Sequence, residues 1–285
     1  MIVTVVYNAR SGSAVSRSRL RLLFKNAGVN VDGFIPINDR LPVKLAPYIK
    51  KGRTIAAIGG DGTISCVAGL VAHTKASLFP LPGGTLNHFT KDLGVIQNLE
   101  EAIANSKHGS SKKIDCAILN GKYFINNSSI GIYPSSLARR NSYESTIGKW
   151  PAALLAMVKV LFRWPLLTVT INDQTFRTPF IFVGNNVYNL AEIGIATRDS
   201  LTAGVLSVIM AKTSSRKALA KVMIASLLGR HRTTEEFEVV QVKDVTIHSR
   251  RRSVHVSRDG ELDTVALPLT YQCDQKALTV WLVRP

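Results

Sequence analysis

The chain has 285 residues, 46% of them hydrophobic and 19% charged, a globular composition long enough for one large or two ordinary domains. With 36 lysines and arginines against 19 acids the formal charge is +17, which attracts nucleic acid, anionic lipid head groups and nucleotides alike and selects none of them. Cys66, Cys116 and Cys273 are scattered, odd in number and free of any CxxC pair, so neither a disulfide framework nor a zinc site is indicated and a reducing cytoplasm fits.

The opening MIVTVVYNAR lacks the features of a signal peptide and reads as a first strand, IVTVVY. A helix through SRSRLRLLFKNAG follows, closed by Gly28, then VNVDGFIPI, a helix from about Leu41, the strand TIAAI, a helix after Gly62, the strand SLFPLP and a helix after Gly84. Short apolar runs alternating with helical spacing predict a parallel sheet with helices on its faces over residues 1–110. From about Lys112 the pattern turns strand-rich, with AILNGKYFINNSSIGI, LLTVTINDQTFRTPFIFVGNN, GVLSVIM, EEFEVVQVKDVTIHS, RSVHVSRDGELDTVAL and PLTYQC at hairpin spacings. These predict a two-layer antiparallel domain over residues 111–276, interrupted by helices near 135–164 and 214–228. No segment reaches the roughly 18 to 20 apolar residues of a spanning helix; the closest, WPAALLAMVKVLFRWP, is short and carries Lys159 and Arg163.

Gly59, Gly60, Asp61, Gly62 and Thr63 stand on the turn from TIAAI into a helix. Glycines there let backbone N–H groups approach a phosphate without a Cβ in the way, beyond the carboxyl ends of the strands where ligands sit in open α/β sheets. A carboxylate among phosphates is repulsive unless a cation intervenes, so one reading makes Asp61 a partner of nucleotide-bound Mg²⁺. The other makes it a cap of its own helix. Gly83, Gly84, Thr85 and Asn87 repeat the strand, glycine turn and helix, and Asn8, Ser11 and Gly12 in NARSGSA, with Arg10 nearby, offer a third edge of the same pocket.

NARSGSA, GGDGT, PGGTLNHFTKDLG, FINNSSIGIYP and RDGELD occur in the order and spacing of the diacylglycerol kinase catalytic-domain family, and the chain resembles its bacterial lipid kinase branch, related to sphingosine and ceramide kinases. The resemblance implies an N-terminal Rossmann-like α/β domain, akin to phosphofructokinases and NAD kinases, and a C-terminal β-sandwich, with residues 277–285 returning to the first domain. It implies transfer of the γ-phosphoryl group of ATP, with Mg²⁺, to a lipid hydroxyl in the cleft between the domains, diacylglycerol or a related lipid. By position, Gly59, Gly60, Asp61, Gly62 and Thr63 match the nucleotide motif, Asp61 being its essential acid and metal partner. Gly83, Gly84, Thr85 and Asn87 match the second phosphate loop, and Asn8, Ser11 and Gly12 the first. Asp259, Gly260 and Glu261 match the catalytic DGE segment, whose aspartate serves as general base; an Asp-Gly hairpin turn is the plainer reading of the same residues.

The chain also departs from the pattern. His88 replaces a frequent aspartate; Cys66 stands where glutamate is frequent and reads as helix core; Thr202, Ala203, Gly204 and Ser207 occupy a segment usually carrying aspartates, so a second cation site there is expected to be absent or altered, with Asp199 a compensating candidate. A lipid acceptor implies peripheral association of a cytoplasmic protein with an anionic membrane surface, for which residues 150–164 and Arg250, Arg251 and Arg252 are candidates. No nucleic-acid motif is present, and an exposed strand edge would permit a homodimer. An NAD kinase-like enzyme and a non-catalytic basic lipid- or nucleotide-binding protein stand as alternatives.

Overall fold

The computed structural model describes residues 1–9, 15–131, 167–171, 174–188, 198, 200–211 and 237–285. The helices expected near 135–164 and 214–228 lie outside the described residues. Two compact units emerge, the first made of Met1–Cys116, Lys122–Asn126 and Asp274–Pro285, the second of Ala117–Gly121 and Asn127–Cys273.

In the first unit β1 (Ile2–Tyr7), β2 (Asn30–Pro36), β3 (Thr54–Gly59) and β4 (Ser77–Pro82) stand in the order β2-β1-β3-β4, all parallel. Helices α1 (Arg17–Asn26), α2 (Leu41–Lys50) and α3 (Asp61–Val71) alternate with them, as the apolar periodicity predicts, and the short α4 (His88–Asp92) and α5 (Leu99–Ala104) follow. Val3, Val5 and Tyr7, two residues apart, share one face of β1 and pack with Ala56, Ile58, Phe79 and Leu81 against Leu20 and Phe24 of α1 and Ala102 and Ile103 of α5. Ile55 and Leu78, at the alternate positions, are equally buried, the mark of a parallel sheet covered on both faces.

Local chemistry sets the helix ends. The Ser16 hydroxyl accepts from the Arg19 N–H (3.2 Å) at the start of α1, and at its end Gly28 takes φ 62° while the Val29 N–H returns to the Phe24 carbonyl (3.0 Å). The sequence reading names no helix at 99–104, although Asn98 caps it by accepting from the Glu101 N–H (3.0 Å).

The sheet continues through β5 (Ser110–Leu119) and β6 (Lys122–Phe124), with the last strand, β16 (Leu269–Leu282), between β4 and β5. β16 meets β4 in parallel at Val280 and Leu78. Farther along β4, Pro80 and Pro82 have no N–H to give a neighbour. Just beyond α3, the His73 ring lies 2.7 Å from an Asp274 carboxylate oxygen, and the Tyr123 hydroxyl donates to that same oxygen at 3.0 Å.

The second unit is an antiparallel β-sandwich. β7 (Asn127–Gly131), β10 (Phe180–Asn185), β11 (Leu206–Ala211), β12 (Phe237–Val242), β14 (Ser253–Arg258) and β15 (Glu261–Ala266) form one sheet in the order β12-β11-β10-β7-β14-β15. β8 (Leu167–Ile171) and β9 (Gln174–Thr178) form a hairpin, and β13 (Asp244–Ile247) pairs antiparallel with the first residues of β16. Thr170 bridges to His248 just past β13, drawing these strands together. The fully buried Tyr271 hydroxyl shares a 3.1 Å hydrogen bond with Ser128 of β7, and burial pushes its titration well above the usual tyrosine range.

The turns after β3 and β4 touch each other through backbone. The Gly83 N–H donates to the Gly59 carbonyl (3.1 Å), a Cβ on Gly83 would lie 2.8 Å from the Gly59 nitrogen, and one on Gly84 would fall on the Cα of Gly60. A Cβ on Gly60, by contrast, has its nearest neighbour 3.6 Å away, at Gly84 Cα. Gly84→Ala is therefore expected to cost about 1–3 kcal/mol through overpacking, while Gly60→Ala leaves the melting temperature close to wild type; thermal denaturation of the two variants checks the asymmetry. A second expectation concerns alkali. Burial first, and then its bond to the Asp274 carboxylate, push the Tyr123 hydroxyl up to about 12 from 10.0. The protonated form is favoured in the folded state, so its contribution is complete below pH about 10 and lost as pH rises toward 12. Tyr123→Phe should flatten the stability decline across that window, measured by urea denaturation at stepped pH.

Candidate functional site

The strand order makes β1 and β3 neighbours whose following connections leave toward opposite sides, and ligands of open α/β sheets collect beyond the carboxyl ends of such a pair. Beyond β1 lies Asn8, whose N–H donates to the Ile58 carbonyl at the end of β3 (3.2 Å). Ser11 and Gly12, predicted for the same edge, and Arg10 lie outside the described residues. Beyond β3, α3 opens at Gly60, which provides no side-chain cap, and its first intrahelical bond runs from the Ile64 N–H to the Gly60 carbonyl (3.2 Å). The N–H groups of Asp61, Gly62 and Thr63 precede that bond and make a helix start suited to an anion. Thr63 itself is buried against Gly59, where a Cβ would come within 2.6 Å of its side chain.

Asp61 does not cap the helix it begins. Its Oδ2 accepts from the His88 N–H (3.1 Å), and its Oδ1 from the Phe89 N–H (2.9 Å) and from Asn126 Nδ2 (3.2 Å). It thus caps α4, 27 residues downstream. The cap comes from outside because Asn87, at the head of α4, is left-handed (φ 52°) and folds its side chain back, accepting from the Gly84 N–H (2.9 Å) and donating to the Gly84 carbonyl (3.0 Å). That closed ring shapes the second loop and leaves Thr85 and Leu86 exposed at its tip.

A carboxylate offers about four lone-pair positions, of which three are taken at Asp61. This fits Mg²⁺, which keeps several waters and uses one or two carboxylates together with phosphates, and does not fit an all-protein cage. Among the described residues no three His, Cys, Asp or Glu side chains gather in a cluster that could hold a metal by themselves.

In the second unit Asp259 and Gly260 form the two-residue turn between β14 and β15, both with positive φ (46° and 86°), the geometry that favours Asp-Gly in hairpins. Asp259 is nonetheless buried, and its N–H donates to the Asn127 carbonyl (2.9 Å) while its Oδ1 accepts from the Asn127 N–H (3.1 Å). Asp259 and Asn127 are thus joined by one backbone bond and one carboxylate bond, next to the last register pair of β7 and β14. Glu261, opposite Arg258 in the hairpin register, is exposed.

The sequence reading does not single out Asn126 and Asn127 as site residues, although both lie in FINNSSIGIYP. They are consecutive in the chain; the first holds Asp61 within its unit and the second holds Asp259 within the other. Cys66, expected in the helix core, is exposed instead, because the buried face of α3 is formed by Thr63, Ile64, Val67, Ala68 and Val71. The His88 side chain is exposed while its backbone holds Asp61. Around Thr202, Ala203, Gly204 and Ser207, the left-handed Asn186 (φ 70°) organises the turn, accepting on Oδ1 from the Ala203 N–H (2.7 Å) and on its carbonyl from the Ser207 hydroxyl (2.9 Å). The buried guanidinium of Arg198 donates to the Asn185 carbonyl (3.3 Å) and lies 5.5 Å from the Tyr188 ring centre. Asp199 and residues 150–164 lie outside the described residues, and Arg250, Arg251 and Arg252 are exposed between β13 and β14. No described helix is long and apolar enough to cross a membrane.

Comparison with known proteins agrees with this architecture. The profile of the diacylglycerol kinase catalytic domain matches residues 2–119, and that of the YegS C-terminal NAD kinase beta sandwich-like domain matches residues 136–282. A diacylglycerol kinase of Staphylococcus saprophyticus is 21% identical over 269 residues, spanning 90% of this chain and 88% of that one. One from Bacillus subtilis is 28% identical over 130 residues, 43% of each chain. A crystal structure of a diacylglycerol kinase from Bacillus anthracis superposes with a TM-score of 0.67 at 18% identity, covering 99% of this chain and 96% of the other, and shows a shared fold. With the second profile alone matching more than half of its length, and the first matching the α/β region that carries both glycine turns, the chain belongs to the diacylglycerol kinase catalytic-domain family, its C-terminal domain being of the YegS sandwich type.

Proposed function

We propose that the protein is an ATP-dependent lipid kinase, phosphorylating the hydroxyl of diacylglycerol or a related lipid from the cytoplasmic side of an anionic membrane surface. The observation that carries this reading is the uncapped start of α3 at the junction of β1 and β3, with the Asp61 carboxylate held beside it by three donors. Family membership supplies the reaction class.

In this reading ATP would give up its γ-phosphoryl group and leave as ADP, and Mg²⁺ on its phosphates would offset the charge that develops in the transfer. The N–H groups of Asp61, Gly62 and Thr63 would bind phosphate oxygens, and Asp61 would hold the cation on its remaining lone pair. Asp259 accepts the proton of the lipid hydroxyl on its carboxylate. Its side chain is kept in place by the Asn127 N–H, which orients the base. The basic surface, including Arg250, Arg251 and Arg252, draws the protein to anionic lipid.

The test is phosphate transfer from labelled ATP to a panel of lipids in mixed micelles, with NAD as an additional acceptor. Asp61→Asn keeps an acceptor for α4 while removing the charge, and should lower kcat by about 10²-fold or more. Asp259→Asn suits the left-handed turn and keeps an acceptor for Asn127, and should lower kcat by about 10²–10⁴-fold with nucleotide binding unchanged. Transfer to NAD in place of lipid, or lipid transfer undiminished in Asp61→Asn, would overturn the reading.

A further inference from the structure

We propose that Asn126 is a positioning residue that makes Asp61 a one-sided ligand for the cation on the nucleotide, an inference that rests on the kinase reading of Asp61. Consecutive N–H groups of α4 grip both carboxylate oxygens, His88 on Oδ2 and Phe89 on Oδ1. Those two bonds fix where the carboxylate sits and leave one lone pair on each oxygen. Asn126 Nδ2 takes the second position on Oδ1. The position left is on Oδ2, so the carboxylate presents a single direction to a cation or its water instead of a choice of two.

Asn126 is suited to the task. It is buried, with 5% exposure, at the end of the segment Lys122–Asn126 that belongs to the first unit, so its amide is held away from competing water. It comes from a different part of the chain than α4, which means that removing it leaves both α4 bonds to Asp61 available. Partners that orient a metal-binding side chain in this way typically account for about 10–100-fold in metal affinity.

The test compares ATP affinity with Mg²⁺ and with EDTA, by calorimetric titration of the full chain, for wild type, Asn126→Ala, Asn126→Asp and Asp61→Asn. Asn126→Ala frees the second position on Oδ1; Asn126→Asp replaces the donor by a carboxylate facing Asp61. Asn126→Ala should reduce the Mg²⁺-dependent gain in ATP affinity by about tenfold, while affinity in EDTA stays within about twofold of wild type and higher Mg²⁺ restores binding; Asn126→Asp, which adds a charge beside the phosphates, should weaken ATP binding in EDTA, and no such loss would place residue 126 away from the nucleotide and overturn the inference. An unchanged Mg²⁺-dependent gain in Asn126→Ala, or equal losses with and without Mg²⁺, would overturn the inference, the latter marking a purely structural role. If Asn126→Asp does not fold, the alanine variant decides alone. Asp61→Asn separates the two levels: a full Mg²⁺-dependent gain in that variant refutes the cation role of Asp61 itself, whereas its loss there and retention in Asn126→Ala refutes only the role of Asn126.

Discussion

The α/β unit is organised around the place where two loops meet with no side chain between them. The backbone at Gly83 and Gly84 closes on the backbone at Gly59 and Gly60, and the Asp61 carboxylate carries the same contact into the first turn of α4. Everything proposed for nucleotide recognition depends on this junction, because it fixes the start of α3, the closed ring of Asn87 and the orientation of Asp61 together. The glycines in the two turns meet a steric demand as well as any demand of a ligand: the loops could not lie this close with Cβ atoms at Gly83 and Gly84.

Asp61 consequently has a structural task that stands apart from the one proposed for it. A carboxylate placed among N–H groups at a helix start is electrostatically favoured whether or not a cation is present, since it answers the partial positive charge of α4. Its fixed geometry comes from that structural task, and the metal-binding task proposed for it would use what remains of its acceptor capacity. Asp259 shows the same economy in the sandwich, where a residue required by a tight hairpin also accepts from the Asn127 N–H with its side chain.

What the sequence disclosed is what depends on local spacing. The alternation of TIAAI and SLFPLP with helical runs, the closure of α1 by Gly28 and the Asp-Gly turn at residue 259 follow from periodicity and from residues that favour particular dihedral angles, and all are seen. What remained hidden depends on groups distant in the chain. The bond from Asp61 to His88 spans 27 residues and that to Asn126 spans 65, and no local pattern announces either. Cys66 reads as core because no base or activating neighbour is legible beside it, a criterion that bears on reactivity and not on which side of α3 faces outward. The helix at 99–104 was overlooked because six residues are too few to show a period, although Asn98 and Glu101 gave its capping signal.

β16 bears on how the protein is made. Its strand of 14 residues lies between β4 and β5 in the sheet order, yet Val280 follows its partner Leu78 by some two hundred positions. A contact of such separation is slow to form, because a long loop must close before the pairing rewards it. During synthesis the first four strands can associate as they emerge, but the edge of β4 waits for residues 274–285 while the whole sandwich sequence is translated. Until then β4 presents an edge in which Pro80 and Pro82 offer no N–H donors, which limits pairing with strands of other nascent chains.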